Sequence, residues 1–326
     1  MQFTTPDISV VIPVFNEASN LRPLAESLAP TLEGCGVTFE AIFVDDGSQD
    51  DSLATIRAIC TADNRFHALS FSRNFGKEIA IAAGLDVACG SAVVIMDSDL
   101  QHPVEVIPLF IEKWRAGYQN IYGQRLDRAT DPKMRSFLTE IFYRLLARFG
   151  DTPMPAGACD FRLLDRPAVD ALIALRERAR FNKGLYAWIG FRSIGVPFAM
   201  HARGSGTTKF SYARLFSFAL DGLMSFSAIP LKVWTYIGLL ASTFALAMAA
   251  YFWIRTLLFG VDVPGYASLI VSIAFFSGVQ LISLGVLGEY IARIFDEVKG
   301  RPLYIVAERI GAPDAPSRQR AAPPTT

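Results

Sequence analysis

The first half of the chain alternates short apolar runs with stretches of helical spacing. Ile8 to Val14 reads as a strand, rich in β-branched residues and closed by Pro13 and the polar pair Asn16-Glu17. From Asn20 to Leu32, Leu21, Leu24 and Leu28 share one helical face, and Gly34 and Gly36 end the helix. Phe39 to Val44 predicts a second strand that ends in Asp45-Asp46-Gly47-Ser48. Ser52 to Cys60 predicts a helix with Leu53, Ile56 and Ile59 inward. Phe66 to Ser70 predicts a third strand, followed by Arg73-Asn74-Phe75-Gly76-Lys77-Glu78. An Ala-rich helix, Ile79 to Ala88, leads into the apolar run Ala92 to Met96, which stops at Asp97-Ser98-Asp99-Leu100-Gln101. Val104 to Ala116 predicts a helix opened by Pro103, and Asn120 to Gly123 a short strand before Gln124-Arg125.

Continuous apolar runs of strand length suit strands buried on both faces. Their alternation with helices implies βαβ units and a parallel sheet. Each predicted strand ends in polar residues. In a parallel sheet those clusters fall along one edge, where open α/β sheets bind ligands. Two acids spaced i, i+2 at such a strand end are suited to Mg²⁺ or Mn²⁺ carrying a diphosphate. An alternative is that one acid caps the next helix and the other is solvated.

The second half has a different pattern. Met134 to Phe149 is amphipathic, with Phe137, Ile141, Leu145 and Phe149 against Arg135, Arg144 and Arg148. It suits a surface helix or one lying on an anionic membrane. In Cys159-Asp160-Phe161-Arg162, Asp160 is either the ion-pair partner of Arg162 or a catalytic carboxylate. Phe181 to Phe191 is aromatic and punctuated by glycine. Arg203-Gly204-Ser205-Gly206-Thr207-Thr208-Lys209 has the makings of a phosphate cradle, backbone amides framed by two cations. Ser211 to Ile229 predicts an apolar amphipathic helix at a membrane interface.

Val233 to Ile254 and Tyr266 to Leu287 are apolar runs near the ~20 residues that a bilayer core requires. Between them lies Gly260 to Gly265, a turn without Lys or Arg. Lys232 precedes the pair and Arg293, Lys299 and Arg301 follow it, which puts both flanks in the cytosol, with Arg255 snorkelling at the outer end. From about Gly311 the chain is rich in Pro and Ala and reads as disordered. The expected divisions are 1–210, a cytosolic α/β domain; 211–230, an interfacial helix; 231–293, two transmembrane helices; and 294–326, a cytosolic C-terminal segment.

Composition supports this division. The chain has 326 residues and a formal net charge of +0, so bulk charge marks no nucleic acid as a partner. Hydrophobic residues make up 52% and mean hydropathy is +0.31, an excess concentrated toward the C-terminus. Cys35, Cys60, Cys89 and Cys159 form no Cys-x-x-Cys pair and read as free thiols of a reducing compartment. No basic segment precedes an apolar signal core at the N-terminus, so the first half is expected to stay in the cytosol. Neither a Gly-x-Gly-x-x-Gly fingerprint nor a P-loop occurs, and Asp45-Asp46-Gly47 lacks the spacing of an EF-hand. His67, His102 and His201 are unclustered and read as structural or surface residues.

Taken together, Pro13-Val14-Phe15-Asn16-Glu17, Val44 to Ser48, Arg73 to Glu78 and Met96 to Gln101 resemble the ordered motifs of family 2 glycosyltransferases with the GT-A fold. Asp160 to Arg166, Glu177 to Phe191, Arg203 to Lys209, Asp221 to Ser227 and Gly288-Glu289-Tyr290-Ile291 resemble the polyprenyl-phosphate branch, and within it the bactoprenol glucosyltransferases. The resemblance runs from Ile8 to Arg301. It implies a GT-A, Rossmann-like, mostly parallel sheet with helices on both faces, followed by interfacial and two transmembrane helices.

The resemblance also implies roles. Pro13, Phe15, Glu17 and Asp46 would hold the nucleobase and ribose. Asp97 and Asp99 would hold the metal, Mg²⁺ or Mn²⁺, and the diphosphate, with Ser98 and Gln101 beside them. Lys77 and Arg135 join the donor-binding set. Arg125, Arg203 and Lys209 would grip a lipid phosphate, and Asp160 would act as base or as orienting group. The implied reaction is inverting transfer from a UDP-sugar, glucose first, to undecaprenyl phosphate at the cytosolic face of the bacterial inner membrane. A lipid-sugar flippase and further copies of the chain are implied partners; Gly278, Ser283, Gly285 and Gly288 offer a small-residue packing face.

The alternatives are another donor (GlcNAc, mannose or an aminosugar) and a non-catalytic nucleotide-sugar-binding membrane protein. A processive polysaccharide synthase would carry Gln-x-x-Arg-Trp, which is absent.

Overall fold

The computed structural model describes residues 5–125, 158–178, 180–200, 229–259 and 265–311. Its order is β1 (Ile8–Val14), α1 (Ala18–Gly34), β2 (Phe39–Asp45), α2 (Ser52–Ala62), β3 (Phe66–Phe71), α3 (Lys77–Val87), β4 (Ala92–Ile95). A 3-10 turn at Val104–Val106 leads into α4 (Ile107–Arg115). Then come β5 (Asn120–Arg125), β6 (Ala158–Asp165), α5 (Arg166–Ala174), α6 (Asn182–Trp188), β7 (Ser193–Phe198), α7 (Ile229–Phe259), α8 (Tyr266–Val298) and β8 (Val306–Ile310). The expected helices at Met134–Phe149 and Ser211–Ile229, the turn residues Gly260 to Pro264 and the tail beyond Gly311 lie outside the described residues, apart from Ile229 itself, which begins α7.

Eight strands form one sheet in the order β7-β5-β6-β4-β1-β2-β3-β8. The pairs β1–β2, β1–β4 and β2–β3 are parallel, as the alternation of strands and helices requires. Every residue of β1 is buried, because helices cover both faces of the sheet. Ile8, Val10, Ile12 and Val14 point into one core with Leu21, Leu24 and Leu28 of α1, Ile56 of α2 and Phe110 of α4. On the other face α3 lies close on β1. A Cβ at Gly84 would come within 2.2 Å of Val11 Cγ1, so only glycine permits that approach.

The sheet is less parallel than the spacing alone suggests. β6 pairs antiparallel with both β4 and β5, and β8 pairs antiparallel with β3. In β6 the apolar Phe161 and Leu163 enter the core while Asp160 and Arg162 take the opposite face, a period-two alternation. The five residues of β8 mix apolar and charged side chains and carry no such signal.

The chain separates into two compact units: Met1–Ala147, Thr152–Ser211 and Arg301–Thr326 in the first, Arg148–Asp151 and Tyr212–Gly300 in the second. The second contains α7 and α8. Among the described residues, one stretch, Phe275–Val298, is long and apolar enough to cross a membrane. It overlaps the expected run Tyr266 to Leu287, which lies within α8, and includes Glu289 and Arg293, which pair one turn apart at 3.3 Å. The run Val233 to Ile254 lies within the continuous helix α7, but the expected two-span arrangement is not established.

Candidate active site

Sheet register decides which polar residues meet. Val14 pairs with Asp45, and Asp45 with Ser70, so the clusters after β1, β2 and β3 emerge at one edge. β4 is in register with β1 there, Val11 opposite Ile95, and Asp97 follows two residues on. Because β6 runs the other way, Ile95 faces Arg162 and the start of β6, with Asp160, comes to the same edge. Gln124 pairs with Ala158, which brings Arg125 there too.

At the centre is Lys77, the first residue of α3. Its Nζ lies 2.6 Å and 2.9 Å from the two oxygens of Asp97 and 3.2 Å from Asp160 Oδ2. Desolvation pulls the Lys77 ammonium down, but the charges of Asp97 and Asp160 outweigh it and hold the group well above its usual value. Burial alone would raise Asp160; Lys77, then Lys183 and Arg162, reverse that and hold its carboxyl well below the usual range. Among the described residues Asp160 Oδ1 is buried without a hydrogen-bond partner. Among the described residues Asp160 thus pairs with Lys77. Arg162 instead donates to Asn120 Oδ1 at 3.3 Å and the Cys159 carbonyl at 2.7 Å, and its guanidinium lies 3.5 Å from the centre of the Tyr186 ring.

The turn bearing Asp97 and Asp99 is held from several sides. The Asp97 amide donates to His102 Nδ1 at 3.1 Å, and the His102 ring stacks on Phe161, the neighbour of Asp160, at 4.8 Å and 9°. The expectation of a structural histidine holds; its part in fixing this turn has no signature in the sequence. Leu100 takes φ +60°, a left-handed conformation that is rare for a branched side chain. The Gln101 amide donates to Asp99 Oδ1 at 3.1 Å, and Ser98 is buried.

Asp46 is buried, and both its oxygens accept backbone amides, from Phe75 at 2.6 Å and Gly76 at 2.9 Å. Burial pushes its carboxyl up, against those two amides. Asp46 therefore ties the turn after β2 to the turn after β3. Glu17 accepts from the Asn20 side chain, and its own amide donates to Ser52 Oγ at 2.9 Å. Pro13 is buried within β1, whereas Phe15 is 44% exposed at the edge. Glu78, beside Lys77, accepts the Asn182 amide at 3.0 Å. Burial, with the Asp160 charge adding to it, pushes Glu78 up to about 7. The motif Arg73 to Glu78 is legible in the sequence, but nothing in it assigns Glu78 a role. Arg135, Arg203 and Lys209 lie outside the described residues.

Among the described residues no three His, Cys, Asp or Glu side chains gather as a metal site. Asp97 and Asp99 supply hard oxygen donors only. That set fits a magnesium-like cation, which is bound by one or two carboxylates and completes its shell with water and phosphate oxygens.

The family model of glycosyl transferase family 2 matches residues 9–173. A prophage-derived bactoprenol glucosyl transferase of Shigella flexneri is 44% identical over 299 residues, 92% of this chain and 97% of that protein. A prophage bactoprenol glucosyl transferase homolog of Escherichia coli is 42% identical, over 92% of this chain and 98% of that protein. An uncharacterised glycosyltransferase of Synechocystis is 46% identical, over 94% and 96%. A crystal structure of glucosyl-3-phosphoglycerate synthase from Mycobacterium tuberculosis, 20% identical, aligns over 67% of this chain and 79% of that one with a TM-score of 0.45.

Proposed function

The chain belongs to glycosyl transferase family 2, and from that premise we propose that it transfers glucose from UDP-glucose to undecaprenyl phosphate. The observation that carries this reading is the full-length likeness to bactoprenol glucosyl transferases, 44% identity over 97% of the Shigella protein. Likeness of that extent covers the candidate site and the long apolar helices alike. A membrane lipid as acceptor agrees with the apolar stretch Phe275–Val298. The proposed location is the cytoplasmic membrane of a bacterium, with the α/β unit in the cytosol.

In this reading Pro13, Phe15, Glu17 and Asp46 line the nucleoside end, and Asp97 and Asp99 would hold Mg²⁺ or Mn²⁺, which would supply positive charge for the diphosphate. Arg125, Arg203 and Lys209 receive the lipid phosphate, with Arg135 in the donor-binding set. The nucleophile is a phosphate monoester oxygen, largely ionised at neutral pH because its second pKa is near ~6. No proton has to be removed before attack on the anomeric carbon. Asp160, held ionised by Lys77, Lys183 and Arg162, then acts by orientation: its Oδ1, without a hydrogen-bond partner among the described residues, accepts a hydrogen bond from a hydroxyl of the sugar. Lys77 keeps Asp97 and Asp160 from repelling one another. Fixed charges of this kind need no rearrangement during the reaction.

The test is transfer of radiolabelled sugar. Full-length protein in detergent is given undecaprenyl phosphate, Mg²⁺ or Mn²⁺, and a panel of UDP- and GDP-sugars. Label entering the butanol phase with UDP-glucose supports the proposal. Label from a different donor corrects the sugar, and protein that binds UDP but labels no lipid overturns the reaction.

A further inference from the structure

We infer that Tyr304 is a positioning residue for the nucleotide-sugar site, bracing both the turn that enters α3 and the last turn of that helix. The inference rests on the donor-binding role proposed above for Asp46 and Lys77.

After α8 ends at Val298 the chain runs only a few residues before it joins the α/β sheet as β8. The Ser72 amide donates to the Ile305 carbonyl at 3.0 Å, and Phe71 pairs with Val306, so Tyr304 lies where β3 gives way to the Arg73–Gly76 turn. Its ring stacks on Phe71, with centroids 5.2 Å apart and planes at 19°. Phe71 meets Phe75 edge to face at 5.6 Å. The amides of Phe75 and Gly76 are the two that grip Asp46, at 2.6 Å and 2.9 Å. A continuous packed path therefore runs from Tyr304 through two aromatic rings to an acid of the candidate nucleoside pocket.

The other end of the same side chain reaches α3. The Tyr304 hydroxyl donates to Asp86 Oδ2 at 2.9 Å, and Arg176 pairs with that oxygen at 2.8 Å. Burial first, and then the Asp86 charge, push the phenol above its usual value, so it remains a donor. Asp86 sits in the last turn of α3, whose first residue is Lys77. One tyrosine thus braces the turn that carries Asp46's partners and the helix that aims Lys77 at Asp97 and Asp160. Small misplacements of such groups are costly to binding and chemistry. A purely structural clamp would act differently: its loss would lower the amount of folded enzyme and leave donor affinity unchanged.

The experiment uses the full chain in detergent with Tyr304→Leu and Tyr304→Phe. Steady-state transfer yields KM for UDP-glucose and kcat, and calorimetric titration with UDP and Mn²⁺ measures binding without turnover. Expected for Tyr304→Leu is a rise of about tenfold in donor KM and in the UDP Kd, with kcat changed by less than about threefold. Tyr304→Phe keeps the stacking on Phe71 but loses the bond to Asp86, and its donor KM is expected to fall between those of Tyr304→Leu and the unmodified protein. Wild-type donor KM in Tyr304→Leu, or a loss confined to kcat, overturns the inference. If the unmodified protein fails to bind UDP, the proposed function falls and this inference with it. That result is distinct from equal binding by unmodified and variant protein, which overturns the brace alone.

Discussion

The Lys77 ammonium sits 2.6 Å from an Asp97 oxygen, although the two residues stand 20 positions apart and belong to different turns. The same ammonium reaches Asp160, 83 positions further along the chain. It forms an ion pair with each of the two acids.

Removing that cation leaves the two carboxylates facing each other. Lys77→Met is expected to lower the transfer rate by about 10²-fold, the usual cost of losing one preorganised charge in a reaction site. Rate measurement at saturating donor checks it, and turnover near the unmodified level would contradict the bridging role.

Asp99→Ala is expected to abolish transfer while the protein still extracts with the membrane fraction. Because the acid is proposed to hold the metal, bound Mn²⁺ read by electron paramagnetic resonance in the presence of UDP should disappear in parallel. Full Mn²⁺ binding in the variant would remove Asp99 from the metal site.

Gly47 takes φ +71°, and a Cβ there would lie 2.6 Å from the Arg73 carbonyl carbon and 2.8 Å from the Asn74 nitrogen. Both contacts are with backbone, which cannot rotate away. Gly47→Ala is expected to cost about 1–3 kcal/mol of stability and to spread the turns that Asp46 joins. Thermal unfolding reads the first effect and UDP affinity the second; an unchanged melting temperature would argue against the close approach.

Glu78 gives a dependence on pH. Its carboxyl rises from 4.5 to about 7 on folding, first through burial and then through the Asp160 charge, opposed by the Asn182 amide, Lys77 and Lys183. Between those two values the folded state binds more protons than the unfolded state, so stability falls as pH rises through the window. Glu78→Gln keeps an acceptor for the Asn182 amide and cannot ionise. Its melting temperature relative to the unmodified protein is expected to climb from about pH 5 to about pH 7.5. A difference that stays flat with pH would show that Glu78 does not titrate there.

The sequence by itself determined the parallel heart of the molecule. The apolar runs of β1 to β4 are buried on both faces, and each is followed by polar residues. Those two facts alone put Glu17, Asp46, Lys77 and Asp97 at one edge. Both are local properties, since burial on two faces demands continuous apolar residues and a strand must end where polar groups meet solvent. The acids Asp97 and Asp99 were legible as polar residues at that edge for the same reason, as were the long apolar helices.

Only the tertiary structure decided the partners. No local signal states that Ala158–Asp165 inserts antiparallel between β4 and β5, yet that insertion brings Asp160 to Lys77. Nor does the short, half-polar β8 announce that a segment beyond α8 closes the far edge of the sheet and sets Tyr304 against Phe71. Side-chain periodicity is written into a few neighbouring residues. Strand pairing is settled by contacts between segments far apart in the chain, where the burial gained must exceed the entropy of closing the loop.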